Sequence, residues 1–310
     1  MKGLVLKSTG NIYKVKQETG DVIECRIKGK LRLNGIRSTN PIAVGDYVIY
    51  DLENENSGLI TDIAERKNYI IRKASNLSKE SQIIAANVDM AYIVITVHSP
   101  KTLLQFVDRF LVTAEAYDIP CTILINKYDL FESEEDQKTI EEWKEIYRLA
   151  GYETLCISTK TGHNMDELQK RLAGKVSVLS GNSGVGKTSI IKAVTNLTEL
   201  KTTEISKSFH KGQHTTTFAE MYETTNGGAI IDTPGVKAFG LLNMESEEIS
   251  QYFPEIFKYS SDYQYYNCTH SHEPNCNVIK AVEEGKIALS RYKIYLAFMD
   301  DKNEKHREAQ

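Results

Sequence analysis

From position 181 to 188 the chain reads Gly181-Asn182-Ser183-Gly184-Val185-Gly186-Lys187-Thr188, a G-x-x-x-x-G-K-T string. Its glycines let the backbone curl until several N–H groups point at one phosphate chain. Lys187 supplies a point charge for the outer phosphates, and the Thr188 hydroxyl suits Mg²⁺. The apolar run Val176 to Leu179 reads as a strand ahead of the loop, and Ser189 to Val194 as the start of a helix behind it. A phosphate-binding loop requires strand, loop and helix in that order; a glycine-rich turn with an exposed lysine does not.

A phosphate loop does not separate ATP from GTP. Two further segments bear on the base. Cys121 to Ile125 reads as a buried strand ending in Asn126-Lys127-Tyr128-Asp129. An N-K-x-D string at that place is a guanine reader. The Asp129 carboxylate accepts from guanine N1–H and the exocyclic N2 amine, donors that adenine lacks, so ATP would leave a charge unpaired. The Lys127 stem would cover the base, and Asn126 would tie neighbouring loops together. About thirty residues on, Leu155 to Ile157 leads into Ser158-Thr159-Lys160, a loop suited to meeting guanine O6 through a backbone N–H. Each string alone also fits an ordinary polar turn; together with the phosphate loop they point to GTP. Asp232-Thr233-Pro234-Gly235 follows the apolar Ala229 to Ile231. As a D-x-x-G string it would hold Mg²⁺ through Asp232 and touch the γ-phosphate through the Gly235 N–H.

The order of these strings is unusual: guanine readers first, phosphate loop next, D-x-x-G last. The expected nucleotide domain is therefore circularly permuted, which a parallel α/β sheet tolerates because only surface connections change. The permutation also runs the segment after D-x-x-G, the one that responds to hydrolysis, straight into the C-terminal region.

With these strings in that order, the whole chain resembles the ribosome small subunit-dependent GTPase A family (RsgA/YjeQ/YloQ/EngC). The likeness includes Gly35-Ile36-Arg37-Ser38-Thr39-Asn40-Pro41, Gly212-Gln213-His214-Thr215-Thr216-Thr217 and a Cys/His cluster near the end. It implies three parts: an N-terminal OB-fold barrel for RNA over 1–72, a circularly permuted α/β GTPase domain over 73–240, and a mostly helical zinc-binding domain over 241–310. It implies GTP and GDP as ligands with Mg²⁺. The implied partner is the small ribosomal subunit with its rRNA, which would stimulate turnover in late maturation, with release coupled to hydrolysis.

Composition agrees with a soluble protein of two or three domains: 310 residues, 41% hydrophobic, 26% charged. No apolar run reaches membrane-spanning length, and Met1 to Gly10 lacks a secretory pattern. Five scattered cysteines argue against a disulfide framework and for a reducing cytoplasm. The chain is expected to act there as a monomer, without a membrane. Net charge is −4, unevenly spread: residues 1–75 carry 13 Lys/Arg against 9 Asp/Glu, so that end is basic and the remainder acidic. Ile23, Cys25 and Ile27 alternate with Glu24, Arg26 and Lys28, a strand with one wet face. Asp46 to Tyr50 and Leu59 to Ile63 are further strands. Arg26, Lys28, Lys30, Arg32 and Arg37 are the candidate phosphate contacts.

From about 73 to 240 strand and helix patterns alternate, as in a parallel sheet. Leu103, Phe106, Val107, Phe110 and Leu111 recur at helical spacing and read as core; Glu134 to Leu149 reads as an amphipathic helix. Leu200 to Thr217 has the character of a switch, and one of Thr215, Thr216 and Thr217 should give Mg²⁺ a second hydroxyl. After D-x-x-G, where many GTPases place a water-orienting Gln, this chain has Val236. The resemblance implies His214 in that role, with Lys187, Thr188 and Asp232 completing the catalytic set. A rival reading keeps the RNA-binding barrel but makes the nucleotide site a sensor with negligible turnover.

Beyond 240, Met244 to Tyr259 and Asn277 to Met299 read as helical, with a frayed charged tail after Met299. The family's metal pattern is C-x4-C-x-H-x5-C. Cys268, His270 and Cys276 match it, and Tyr263 stands where a cysteine belongs. One Zn²⁺ is expected, with either His272 or Tyr263 as fourth ligand; the alternative is a helical tail that has lost its metal and is held by packing of Tyr259, Tyr263, Tyr265 and Tyr266.

Overall fold

The computed structural model describes residues 1–28, 41–72, 82–195, 219–232, 246–260 and 268–308. Lys30, Arg32, Arg37, Gly35 to Asn40, Gly212 to Thr217, Gly235, Val236 and Tyr263 lie outside the described residues.

The N-terminal strands are β1 (Lys2–Ser8), β2 (Tyr13–Gln17), β3 (Val22–Ile27), β4 (Tyr47–Asn54) and β5 (Ser57–Ile63). They join in the order β1-β2-β3-β5-β4, and β4 pairs back onto β1, so the sheet closes into a five-stranded barrel. The period-two pattern sets its inside: Ile23 and Cys25 are buried while Glu24 and Arg26 face water. Val5, Tyr13, Val15, Val48, Tyr50 and Ile60 fill the remainder of the interior. Closure leaves the barrel without a free edge.

A short ribbon, β6 (Tyr69–Arg72) against β7 (Gln82–Ala86), follows the barrel. Then come β8 (Met90–Ile95), α1 (Leu104–Ala116), β9 (Cys121–Ile125), α2 (Glu134–Leu149), β10 (Glu153–Cys156), α3 (Met165–Leu172), β11 (Val176–Gly181), α4 (Lys187–Val194), β12 (Glu220–Glu223) and β13 (Ala229–Asp232). Their sheet order is β10-β9-β8-β11-β13-β12, parallel except for β12. Strands covered on both faces need apolar residues at every position. Accordingly Ala91, Ile93 and Ile95 pack toward Val107, Phe110 and Leu111 of α1. Tyr92 and Val94 pack on the opposite side with Leu168, Ile190 and Ile191. Ser133 caps α2, its hydroxyl accepting from the Asp136 N–H, and Ile140, Trp143 and Tyr147 are the buried face.

Leu103 departs from its expected core place and is 65% exposed. It is the N-cap of α1 with extended backbone (φ −83°, ψ 131°), so the helical spacing does not yet apply to it.

The C-terminal part contains a 3-10 segment, Ser246–Tyr252, then α5 (Pro254–Ser260), α6 (Asn277–Glu283) and α7 (Leu289–Glu308). The expected single helix from Asn277 is split at Gly285, whose φ of +71° ends α6. The charged run after Met299 continues α7 to Glu308, in keeping with the helix propensity of its Lys, Glu and Arg residues. These helices share a core of Phe253, Ile256, Val278, Tyr295 and Phe298 with Val112 of α1. Arg291 joins the same parts: fully buried, it donates to Asp108 of α1 at 2.8 Å and to both Glu255 oxygens at 2.7 and 3.2 Å. Among the described residues no helix is long and apolar enough to cross a membrane.

Candidate active site

Sheet register decides what comes together. Ile95 pairs with Ile125, Ile125 with Cys156, Val94 with Gly181, and Leu179 with Asp232. Five parallel strands thus end level, and the loops after them rise from one edge. In open α/β sheets that carboxyl edge is where ligands bind. Asn126 to Asp129, Ser158 to Lys160, Gly181 to Ser189 and Asp232 all stand on it.

The phosphate loop is shaped by its glycines and by contacts with the Asn126 to Asp129 loop after β9. Gly186 is the N-cap of α4, with φ +102°, and a Cβ there would meet Asn126 Nδ2 at 2.3 Å. The same amide donates to the Val185 carbonyl at 2.7 Å. Asn126 is buried, and its Oδ1 has no hydrogen-bond partner among the described residues, so an acceptor is on offer where the two loops meet. At Gly181 (φ +146°) a Cβ would press on the Val94 carbonyl at 2.5 Å. The Lys187 ammonium donates to the Gly181 and Asn182 carbonyls at 2.6 and 2.8 Å, leaving its third N–H for a phosphate oxygen. Burial holds that amine below its ordinary value, and Asp232 partly restores it. Burial likewise pushes the Asp232 carboxyl up, against the pull of Lys187. Thr188 is half-buried in the first turn of α4; Asn182 is half-buried, and Ser183 and Ser189 are exposed. Curled backbone, a lysine at the loop's centre and a helix N-terminus fit a phosphate chain with its magnesium.

At the base end, Asp129 is held by Ser158, whose hydroxyl donates to Oδ1 at 2.5 Å, and Lys160 Nζ lies 3.7 Å from Oδ2. The Ser158 bond keeps the Asp129 carboxyl below its usual range. The Ser158 hydroxyl also accepts from the Lys160 and Thr161 N–H groups, fixing the loop that contains half-buried Thr159. Tyr128 N–H donates to the Ile157 carbonyl at 3.1 Å, locking the two base loops together. Lys127 adopts a left-handed backbone (φ +63°) and its amine donates to the Ser99 carbonyl at 2.5 Å. Sequence reasoning passed over this last partner. The turn after β8 brings Ser99 to Lys127 and Pro100 within 3.5 Å of the Cβ position of Gly184. Its signal was the Ser99-Pro100 pair in the turn after β8, the strand that lies between β9, with its Asn126 to Asp129 loop, and β11, with its phosphate loop.

The Cys/His loop gathers three donors. Cys268, His270 and Cys276 place their ligand atoms within 4.8 Å of one another. The two sulfurs are 3.8 Å apart, and His270 Nδ1 is 3.3 Å from Cys276 Sγ. Tetrahedral zinc with bonds of about 2.3 Å to sulfur and 2.0–2.1 Å to nitrogen needs roughly 3.8 and 3.6 Å for those separations. The donor set therefore fits zinc. His272 stands outside this triangle: it is exposed, and its Nδ1 meets the Ser271 hydroxyl at 2.7 Å. Glu273, unnoticed in the sequence, braces the loop by accepting from the N–H groups of Thr269, Ser271 and His272. Although burial opposes it, the Thr269 hydroxyl, followed by backbone N–H groups that include those of Thr269 and His272, holds the Glu273 carboxyl down to about 2. Tyr292 and Tyr295 of α7 donate to the His270 and Thr269 carbonyls at 2.7 and 2.9 Å.

Fold and site together define a P-loop GTPase whose base-reading loops precede its phosphate loop in the chain. Residues 63–242 match the family description RsgA GTPase, and residues 2–60 match RsgA N-terminal domain. The chain belongs to the RsgA family of GTP-hydrolysing enzymes. It is 52% identical to the small ribosomal subunit biogenesis GTPase RsgA of Phocaeicola vulgatus over 100% of both chains. With the protein of that name from Christiangramia forsetii it shares 50% identity over 99% of this chain and 98% of that one. Among solved structures, YloQ, described as a circularly permuted GTPase, aligns with TM-score 0.75 at 32% identity, covering 98% of this chain and 95% of that one. YjeQ from Thermotoga maritima aligns with TM-score 0.75 at 34% identity over 97% and 98%.

Proposed function

We propose that this enzyme hydrolyses GTP during biogenesis of the small ribosomal subunit, as a cytoplasmic monomer that docks on the subunit and its rRNA and leaves after turnover. The observation that carries the nucleotide assignment is the Asn126 Nδ2 to Val185 carbonyl bond of 2.7 Å, which fastens a guanine-type loop to a phosphate loop.

Asp129 accepts from guanine N1–H and N2, Lys127 covers the base, and the Ser158 to Lys160 backbone faces O6. Lys187 and the loop N–H groups from Gly181 to Thr188 hold the β- and γ-phosphates, with Ser189 following in the helix. Thr188 and Asp232 hold magnesium, which when bound neutralises charge gathering on the phosphate oxygens. Gly235 donates its N–H to the γ-phosphate. His214 orients the attacking water in place of the glutamine that Val236 replaces. Arg26 and Lys28 on the wet face of the barrel, with Lys30, Arg32 and Arg37, contact rRNA phosphates. Cys268, His270 and Cys276 hold zinc, the fourth ligand coming from Tyr263 or His272.

GTP turnover measured with and without purified small subunits tests the proposal. Slow intrinsic turnover that rises at least tenfold with subunits, and falls by roughly a hundredfold in His214→Ala at unchanged GTP affinity, is expected. Turnover indifferent to subunits would overturn the reading and leave a nucleotide sensor.

A further inference from the structure

The barrel and the GTPase sheet are not merely adjacent. Strand β1 pairs with β12, with Lys7 opposite Glu220, and β12 pairs with β13, with Glu220 opposite Asp232. Directly opposed residues in antiparallel pairs project on the same face of the sheet, with Cβ atoms about 5 Å apart. Lys7, Glu220 and Asp232 therefore stand in one row across three strands, from the barrel to the magnesium corner. Two carboxylates side by side in such a row repel each other. Each is met by a lysine from its outer side: Lys7 Nζ lies 2.9 Å from Glu220 Oε2, and Lys187 neighbours Asp232. Glu220 Oε2 also accepts from the Tyr222 hydroxyl at 3.3 Å. A second ion pair, Lys16 with Glu223, joins barrel and β12 further along, but Glu223 pairs with Ala229, at the far end of β13 from Asp232.

We propose that Lys7 and Glu220 are a positioning pair for the metal corner, through which the barrel sets the charge seen by the nucleotide's phosphates. The inference rests on Asp232 being the magnesium carboxylate. Lys7 cancels Glu220, so Asp232 meets the ligand as a single compensated charge. Taking the ammonium away exposes a second negative charge beside it, which repels a nucleotide polyanion and attracts a divalent cation. The same would follow if an rRNA phosphate drew Lys7 off Glu220.

The test uses the full chain and titrates fluorescent GTP and GDP in EDTA, then magnesium at fixed GTP. Lys7→Met should weaken GTP in EDTA by about three- to fivefold, a part-exposed pair's worth, and GDP less. It should lower the magnesium needed for half-effect. Glu220→Gln combined with Lys7→Met should return both readings to those of the parent. Lys16→Met removes a barrel contact without a charge beside Asp232 and should leave both readings alone. Equal effects of Lys7→Met and Lys16→Met would reduce the pair to domain docking and overturn the proposal, as would failure of Glu220→Gln to restore binding. Asp232→Asn separates the two layers of argument. If it leaves the magnesium requirement unchanged, the assignment of Asp232 falls and this inference with it. If it raises the requirement while Lys7→Met is silent, the inference alone falls.

Discussion

Replacing Arg291 by methionine is the most telling test of how the C-terminal helices are held. The guanidinium is fully buried, its two carboxylate partners are 1% exposed, and three hydrogen bonds of 2.7 to 3.2 Å join them. Methionine keeps much of the stem's apolar volume, so the main loss is charge. Two carboxylates would then lie buried and unpaired beside each other, a situation that costs about 3–5 kcal/mol. For a domain of this size that lowers the melting midpoint by on the order of 10 °C. The cost should depend on pH. Burial already pushes the Asp108 carboxyl up, and Arg291 pulls it part of the way back; without the arginine it climbs further. Glu115, also raised by burial, and Tyr147 and Tyr152 face the same cluster. A carboxyl raised in the folded state contributes stability that is present below its unfolded value and lost as pH rises through its folded value. The deficit of Arg291→Met against the parent should therefore be smallest near pH 5 and widen toward pH 8. Thermal melts across that range measure it. A deficit under about 1 kcal/mol, or one equal at both ends, would refute the reasoning.

Gly186→Ala places a Cβ 2.3 Å from Asn126 Nδ2 at a φ of +102°, so GTP affinity should fall by at least about tenfold while the far-ultraviolet spectrum is retained; an unaltered dissociation constant would contradict the cradle geometry. Asp129→Asn should cost GTP about a hundredfold or more and favour xanthosine triphosphate, whose extra carbonyl suits an amide; competition binding in which GTP still wins would contradict the base assignment. Purified protein should contain close to one zinc per chain, and Cys276→Ser should lose it together with several degrees of melting temperature; substoichiometric zinc in the parent would count against the site.

Short strings and periodicities were the legible part. Strand β3 alternates because one face is wet, β8 is apolar throughout because two helix layers cover it, and each reader string sits where its strand ends. What escaped notice depends on partners far off in the chain. Arg291 meets Asp108 across 183 positions, and Lys7 meets Glu220 across 213. Nothing local marks an arginine in α7 as buried, or a strand glutamate as the neighbour of Asp232. Leu103 was misplaced for the opposite reason: spacing extended a helical face one residue past the point where the helix begins. The Ser99 carbonyl is harder to read than a side chain: only the neighbouring proline, in the turn after β8, marks the place of that backbone acceptor. His214 and Gly235 lie outside the described residues; the Gly235 role rests on the D-x-x-G string and the His214 role on the family resemblance.

The permuted order also dictates a timetable for synthesis. Strands β8, β9 and β10, with the loops proposed to recognise the base, leave the ribosome well before β11, which must then slot between β8 and β13. Until it does, β8 has an unpaired flank that invites wrong partners. A nascent chain at that stage can hold a nucleoside weakly at best, because the residues that grip its phosphates have not been translated. GTP can act as a folding ligand only once residue 188 has emerged. The barrel, made first, waits longest for its neighbour: the contact of Lys7 with Glu220 cannot form until residue 220 of 310 has been added.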